Sequence, residues 1–222
     1  MTAARQAPAP KASSPDGLHG EEGTVRALVR REIARLQRGY LADRPEAVAA
    51  LARLRRGAGR DAAAVPDLWG LIDLEPVYAD RQLRPDEAER AVYTAMTLWS
   101  LHQQSRSSGM HRPGVELGAA VRQLMPAGEI DEPVRKRFVR AGTSATLPVL
   151  AIRLREIVLL LRGHDVALDY ALLAEQLYRW QQPGGPDRVR RIWGRAFHAH
   201  RTTPDDDTSD GAAAATDVKD AS

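Results

Sequence analysis

The sequence predicts an all-α fold, a compact bundle of about eight helices over residues 24–201, flanked by two disordered tails. Three observations predict it. Apolar residues recur three and four apart through most of the middle, the repeat of a single buried helix face. No segment alternates apolar and polar with period two, and β-branched residues are scattered rather than clustered. Proline and short polar side chains recur where helices would begin, as at residues 43–45, 131–133 and 146–148.

Each element follows from its own residues. Thr24 is placed to cap a first helix whose buried face is Val25, Leu28, Val29, Ile33 and Leu36. Asp43 and Pro45 open a second, with Val48, Leu51 and Leu54 inward. Pro66 starts a short segment closed by Pro76, and a long helix follows over 85–104. Further helices are predicted over 115–124 and from 131–133 to Arg140. The helix over 147–161 is apolar nearly all round, which predicts a central position. Asp169 caps 170–182, and Pro186 and Asp187 open the last helix, to about His200. The four tryptophans (Trp69, Trp99, Trp180 and Trp193) and Phe138 fall on apolar positions and are expected in the core.

Charge is distributed unevenly. The formal +3 of the whole chain averages −1 over residues 1–23, +9 over 24–201 and −5 over 202–222. Only Lys11, Lys136 and Lys219 are lysines, so the other 29 basic residues are Arg. The planar guanidinium fork suits phosphates better than a point charge does. The acidic C-terminal tail reads as a solubilising segment that can also shield the basic middle from unwanted anions.

Several classes are set aside. Without Cys there is no disulfide framework, thiolate metal site or cysteine nucleophile. No apolar run approaches the ~20 residues that span a bilayer, and no secretory h-region is present, so a cytoplasmic protein is expected. GxGxxG, GxxxxGK, HExxH and GxSxG motifs are missing. His198 and His200 stand two apart, the wrong spacing for joint metal ligation on a helix. The carboxylates of 61–89 sit mostly at helix starts, where they complement the macrodipole. No catalytic residue, metal or cofactor is expected.

The basic residues are better ordered. In 188–201, Val189, Ile192, Trp193, Ala196 and Phe197 form a buried stripe, which sets Arg188, Arg191 and Arg195 on a second stripe ~10 Å long. Lys136, Arg137 and Arg140 share one arc of their helix, with Val134 and Phe138 turned inward. Arg31, Arg35 and Arg38 form a stripe on the first helix, and Arg53, Arg55, Arg56 and Arg60 cluster after the second. Residues 188–201 contain no acid and 135–162 contain only Glu156, whereas a salt-bridged face would interleave signs. Arg155 and Arg162 emerge from one edge of the 147–161 helix, and Arg153 with Glu156 from another. They need either an acid from 61–89 or a phosphate, because an unpaired buried charge is costly.

The order of LARLRR (51–56), LW (68–69), AVYTAMTLWSLHQQ (91–104), MHRPGVELGAAVRQL (110–124), RKRFVRA (135–141), RLREIVLLLR (153–162), LDYALLAEQLYRW (168–180) and RVRRIWGRAF (188–197) resembles the small CasB-type subunit of the type I-E CRISPR surveillance complex, Cascade. The resemblance implies an all-α subunit without catalytic activity. It implies two stacked copies beside the guide RNA–target DNA duplex and the displaced strand, with other Cascade subunits as partners and an R-loop held open. Carried over by position, its basic contacts fall on Arg55 and Arg56, Arg122, Arg137 and Arg155, with Arg112 before Gly114 as a further candidate. The chain departs from the pattern at Arg153 and Gln176, where many relatives are expected to carry His and an acid. The full candidate set adds Lys136, Arg140, Arg153, Arg188, Arg191 and Arg195. Two other readings remain open: a helical DNA-binding transcriptional regulator, and a scaffold whose Arg faces dock acidic proteins.

Overall fold

The structure is a computed structural model that describes residues 22–60 and 65–199. The predicted tails and His200 lie outside the described residues, apart from Glu22 and Gly23. The described residues form nine α-helices: α1 (Thr24–Leu41), α2 (Pro45–Arg56), α3 (Glu75–Ala79), α4 (Pro85–Gln103), α5 (Leu117–Gln123), α6 (Glu132–Gly142), α7 (Leu147–Gly163), α8 (Tyr170–Trp180) and α9 (Gly185–Ala199). A 3-10 turn (Pro66–Leu68) lies between α2 and α3. Among the described residues no strand is present; a single parallel bridge joins His111 to Leu168.

The predicted periodicities bury the faces they should. α1 buries Val25, Leu28, Val29, Ile33 and Leu36, and α9 buries Val189, Ile192, Trp193 and Phe197. Asp131 and Asp169 cap α6 and α8, accepting from the amides of Val134 and Leu172 at 2.9 Å each. Thr24 does not cap α1. Gly23 is the N-cap, and the Thr24 hydroxyl instead donates to Asp80 at 2.6 Å, tying α1 to the end of α3. Arg44 rather than Asp43 precedes Pro45 at the start of α2, with Asp43 in the left-handed turn (φ 52°) that a short polar side chain tolerates.

The central helix is α4, not the one predicted. Residues 91–103 are all buried, and α1, α2, α3, α7 and α8 pack around them. Several of the buried polar residues of α4 are satisfied locally. Thr97 and Ser100 donate back to the carbonyls of Thr94 and Thr97. Gln103 donates to the Ser108 carbonyl and accepts from the Met110 amide, at 2.8 and 2.9 Å. α7 buries one face only, through Leu150, Leu154, Ile157, Val158 and Leu161, and leaves Val149, Ile152 and Leu159 exposed, Ile152 at 51%. Trp69 is likewise outside the core, 64% exposed, whereas Trp99, Trp180 and Trp193 are buried.

α5 and α9 approach closely at Gly118, where a Cβ would strike the Trp193 carbonyl and lie 2.7 Å from the Phe197 nitrogen. Only glycine fits there. This contact, with Phe138 of α6 stacked on Phe197 at 5.5 Å, seats α5, α6 and α9 together.

His102 is fully buried in α4, with Nδ1 2.8 Å from the Tyr170 hydroxyl. Burial pushes its pKa down to about 4, and Arg106 adds to the effect. A folded-state pKa below the ordinary value means that the unfolded chain binds the proton first. Stability contributed by neutral His102 is therefore complete above about pH 6.5 and falls as pH drops toward 4. We predict a loss of about 2 kcal/mol between pH 7 and pH 5 from this group, read by urea denaturation. His102→Gln should remove most of that difference; an unchanged pH dependence would contradict this role.

Candidate nucleic-acid interface

The predicted Arg and Lys side chains fall into three surface groups, one exposed loop position at Arg112 and two positions engaged inside the fold. In the first group, the turn after α2 crosses α7. At Gly59 (φ +80°) a side chain would lie 3.0 Å from the Arg155 Cδ, so the backbone rests on the stem of that arginine. The end of α2, with half-buried Arg55 and exposed Arg56, therefore shares one side of the molecule with exposed Arg155. Arg56 is paired with Asp67 at 3.0 Å on the surface, a contact that solvent screens. Among the described residues, no acid pairs with Arg155 or Arg162. Of the two partners the sequence left open, an acid from 61–89 or a phosphate, no described residue of 65–89 supplies the first, and Asp61 lies outside the described residues. Arg162 donates to the Gln104 amide oxygen at 3.2 Å.

The second group lies on α6, where Lys136, Arg137 and Arg140 are all exposed and form no ion pair among the described residues. Arg137 donates to the Pro133 carbonyl at 3.3 Å, while the adjacent Arg135 is taken up by Glu132 at 2.8 Å. Phe138 turns inward between these cations and lies 6.3 Å from the Trp193 ring, so the basic arc points away from α9.

The third group is the α9 stripe. Arg188, Arg191 and Arg195 are exposed and have no ion pair among the described residues. Arg190, a quarter-turn or more away, behaves differently: it pairs with Asp187 at 3.2 Å and its guanidinium lies 5.7 Å from the Trp180 ring centroid. Arg195 also borders an open groove of about 470 Å³ with Arg26, Gly114 and Gln176.

Arg112 is exposed on the loop that leads to that groove, and buried Asp169 holds the loop in place. One oxygen of Asp169 accepts from the Gly114 amide at 2.9 Å, the other caps α8, and Arg26 approaches at 3.5 Å. The Asp169 amide donates to Val115 and the Arg112 amide to Leu168. Gly114 (φ +84°) makes the turn that brings its N–H to the carboxylate.

Two candidates are engaged inside the fold. Arg122 is buried, 5% exposed, and donates to the Pro126 carbonyl at 3.1 Å beyond the end of α5. It satisfies the Met125 and Pro126 carbonyls just beyond the helix, and its guanidinium is turned in to them. Arg153 is half-buried and donates to the Arg140 carbonyl and, at 3.3 Å, the Ser144 hydroxyl, stapling α7 to the end of α6. The α1 stripe is also partly consumed, since Arg31 and Arg35 flank buried Glu32 at 3.3 and 2.8 Å. Arg26, which the periodicity left outside that stripe, is the α1 residue that reaches the groove; its sequence neighbours gave no sign of it. Among the described residues, no group of three or more His, Asp or Glu could hold a metal ion.

The family model for CRISPR-associated protein Cse2 matches residues 50–198. The fold is similar to CasB from Thermobifida fusca, with 48% identity, 80% of this chain and 99% of that chain covered, and a TM-score of 0.74. It is also similar to M. ruber CasB at 27% identity, covering 81% of this chain and 94% of that one, with a TM-score of 0.57. A chain of a CRISPR RNA-guided surveillance complex shares the fold at 23% identity and a TM-score of 0.62, with 80% of this chain and 95% of that chain covered. No curated protein matches. The all-α architecture, the run of motifs from residue 50 to α9 and these likenesses agree, and the chain belongs to the CRISPR-associated Cse2, or CasB-type, family.

Proposed function

We propose that this chain is the non-catalytic small subunit of a type I-E Cascade surveillance complex in the cytoplasm. In that role it holds nucleic-acid backbone non-specifically and stabilises an R-loop made of the guide RNA–target DNA duplex and the displaced strand. Its partners are the other Cascade subunits and a second copy of itself. Family membership supports the setting, and a solved surveillance complex contains a chain of the same fold. The observation that carries the chemistry is the set of exposed cations with no acid partner among the described residues: Lys136, Arg137, Arg140, Arg155, Arg188, Arg191 and Arg195.

Guanidinium groups on rigid helices bind phosphates through charge and counterion release, which carries no sequence information. R-loop formation exchanges one duplex for another of similar stability, so a few backbone contacts tip the balance. The stripes consist almost entirely of Arg, without the Asn, Gln and Ser that read base edges in a recognition helix. This composition favours backbone binding over the regulator reading.

Replacing Arg137 and Arg155 with Ala should shorten R-loop lifetime in the assembled complex. For duplex binding by the free protein it should lower the slope of log K against log salt by about 1.8, at about 0.9 per phosphate contact. An unchanged slope together with an unchanged lifetime would remove both residues from the interface. Arg122→Ala should behave oppositely. It should cost about 1–3 kcal/mol of stability by denaturant titration, since two carbonyls lose their donor, and leave the salt slope intact. A reduced slope in a fully folded Arg122→Ala protein would show that this arginine turns outward to bind.

A further inference from the structure

Several cations of this protein have an ion-pair partner among the described residues, and the α9 stripe has none there; the nearby Asp187 is taken by Arg190. Arg84 has Glu87, Arg135 has Glu132, Arg179 has Glu175 and Arg190 has Asp187. Arg188, Arg191 and Arg195 share one outward strip of a helix whose opposite face is buried. Three cations with no acid partner among the described residues, along ~10 Å, form a strong local positive field.

The chain itself carries the complementary charge beyond the same helix. α9 reaches Ala199, which borders the groove shared with Arg26, Gly114 and Arg195. Residues 200–222 follow from that point, and Asp205, Asp206, Asp207 and Asp210 are the first charged side chains after Arg201. An extended chain advances ~3.3 Å per residue, so Asp205, Asp206 and Asp207 can reach ~20–26 Å from Ala199. Arg188 lies ~16 Å back along the helix at ~1.5 Å per residue. Every arginine of the stripe is therefore within range of the aspartate run, and Arg195 is the nearest.

We propose that residues 204–210 dock on the Arg188, Arg191 and Arg195 stripe of the same chain and cover it as an internal polyanion. The aspartate carboxylates face guanidinium forks that accept them in the geometry also used for phosphate. A short tether gives the segment an effective concentration in the millimolar range, which compensates for ion pairs that are individually weak and screened by salt. A nucleic-acid strand, with a charge at every nucleotide and many contacts, displaces it. The free subunit is thereby kept from binding stray nucleic acid. What displaces the segment rests on the proposed function; the docking itself does not.

The absence of cysteine makes the test direct, because Ser209→Cys introduces the sole thiol for a nitroxide label. In the full-length protein at 50 mM KCl, the amide signals of residues 188–195 should lose more than half their intensity to the label. They should recover when Asp205, Asp206, Asp207 and Asp210 are all changed to Asn. The four-Asn variant should also bind a mixed-sequence single strand about five- to tenfold more tightly at 50 mM KCl, an advantage that disappears by about 0.5 M. Equal amide intensities in the two proteins would overturn the docking, even if affinity rose, because long-range repulsion would then explain the gain. Docking with no change in affinity would sustain the intramolecular contact and count against nucleic acid as the ligand of this stripe.

Discussion

Trp193 is the joint on which the basic surface depends. Its indole N–H donates to the Gln176 amide oxygen at 2.7 Å, its ring stacks on Trp180 at 5.5 Å, and its carbonyl lies where only glycine fits at residue 118. Phe138 closes the same cluster from α6. One residue thus touches α5, α6 and α8 from α9 and fixes the rotation of α9 about its own axis. Once Val189, Ile192, Trp193 and Phe197 are turned inward, the 3.6-residue period leaves Arg188, Arg191 and Arg195 no other place than solvent. The same cluster anchors Phe138 and so turns Lys136, Arg137 and Arg140 outward on α6. The surface chemistry is a consequence of aromatic packing. Gln176, where relatives are expected to carry an acid, supplies the indole with a neutral acceptor at a site that is almost completely buried.

The acids, meanwhile, are spent inside the fold. Glu32 is held between Arg31 and Arg35, Asp80 receives the Thr24 hydroxyl, and Glu87 receives Arg84 and Gln182. Asp169 joins three segments at once, the 112–115 loop, the start of α8 and Arg26, from a nearly inaccessible position. These carboxylates cap, tie and bridge; they are not available to neutralise the arginines of α6, α7 and α9. The residual repulsion along those helices disfavours the compact state on its own and is relieved by any bound polyanion. That is a physical reason for a small helical protein to keep a surface that the carboxylates of its helical body leave unneutralised.

Much of this was legible in the sequence, and the exceptions share a cause. The faces of α1, α6 and α9, the caps at Asp131 and Asp169 and the proline starts all follow from local rules, and the structure reproduces them. The centre of the bundle does not. Thr94, Thr97, Ser100, His102 and Gln103 are polar yet buried in α4, with Thr97 and Ser100 bonded within their own helix, Gln103 to the next loop and His102 to Tyr170 of α8. α7 looks central because Val149, Ile152 and Leu159 are apolar, yet their face remains outward. Composition cannot tell a satisfied polar group from an exposed one, because satisfaction is decided by tertiary neighbours. The inward engagement of Arg122 and Arg153 was hidden for the same reason. Both reach helix-end carbonyls that only the fold brings within range. The exposure of Arg188, Arg191, Arg195, Lys136, Arg137 and Arg140 was legible because no acid among the described residues takes them.

The central claim is that the unpaired arginine faces hold phosphate backbone without reading sequence. The most direct measurement is the affinity of the full-length protein for several unrelated strands and duplexes of equal length, each followed across salt concentration. Affinities should agree within about twofold across sequences of one kind, with a slope of about −3 or steeper on duplexes, equivalent to three or more released counterions, and a shallower one on single strands. A flat salt dependence, or one sequence bound a hundredfold more tightly than its scrambled counterpart, would contradict it.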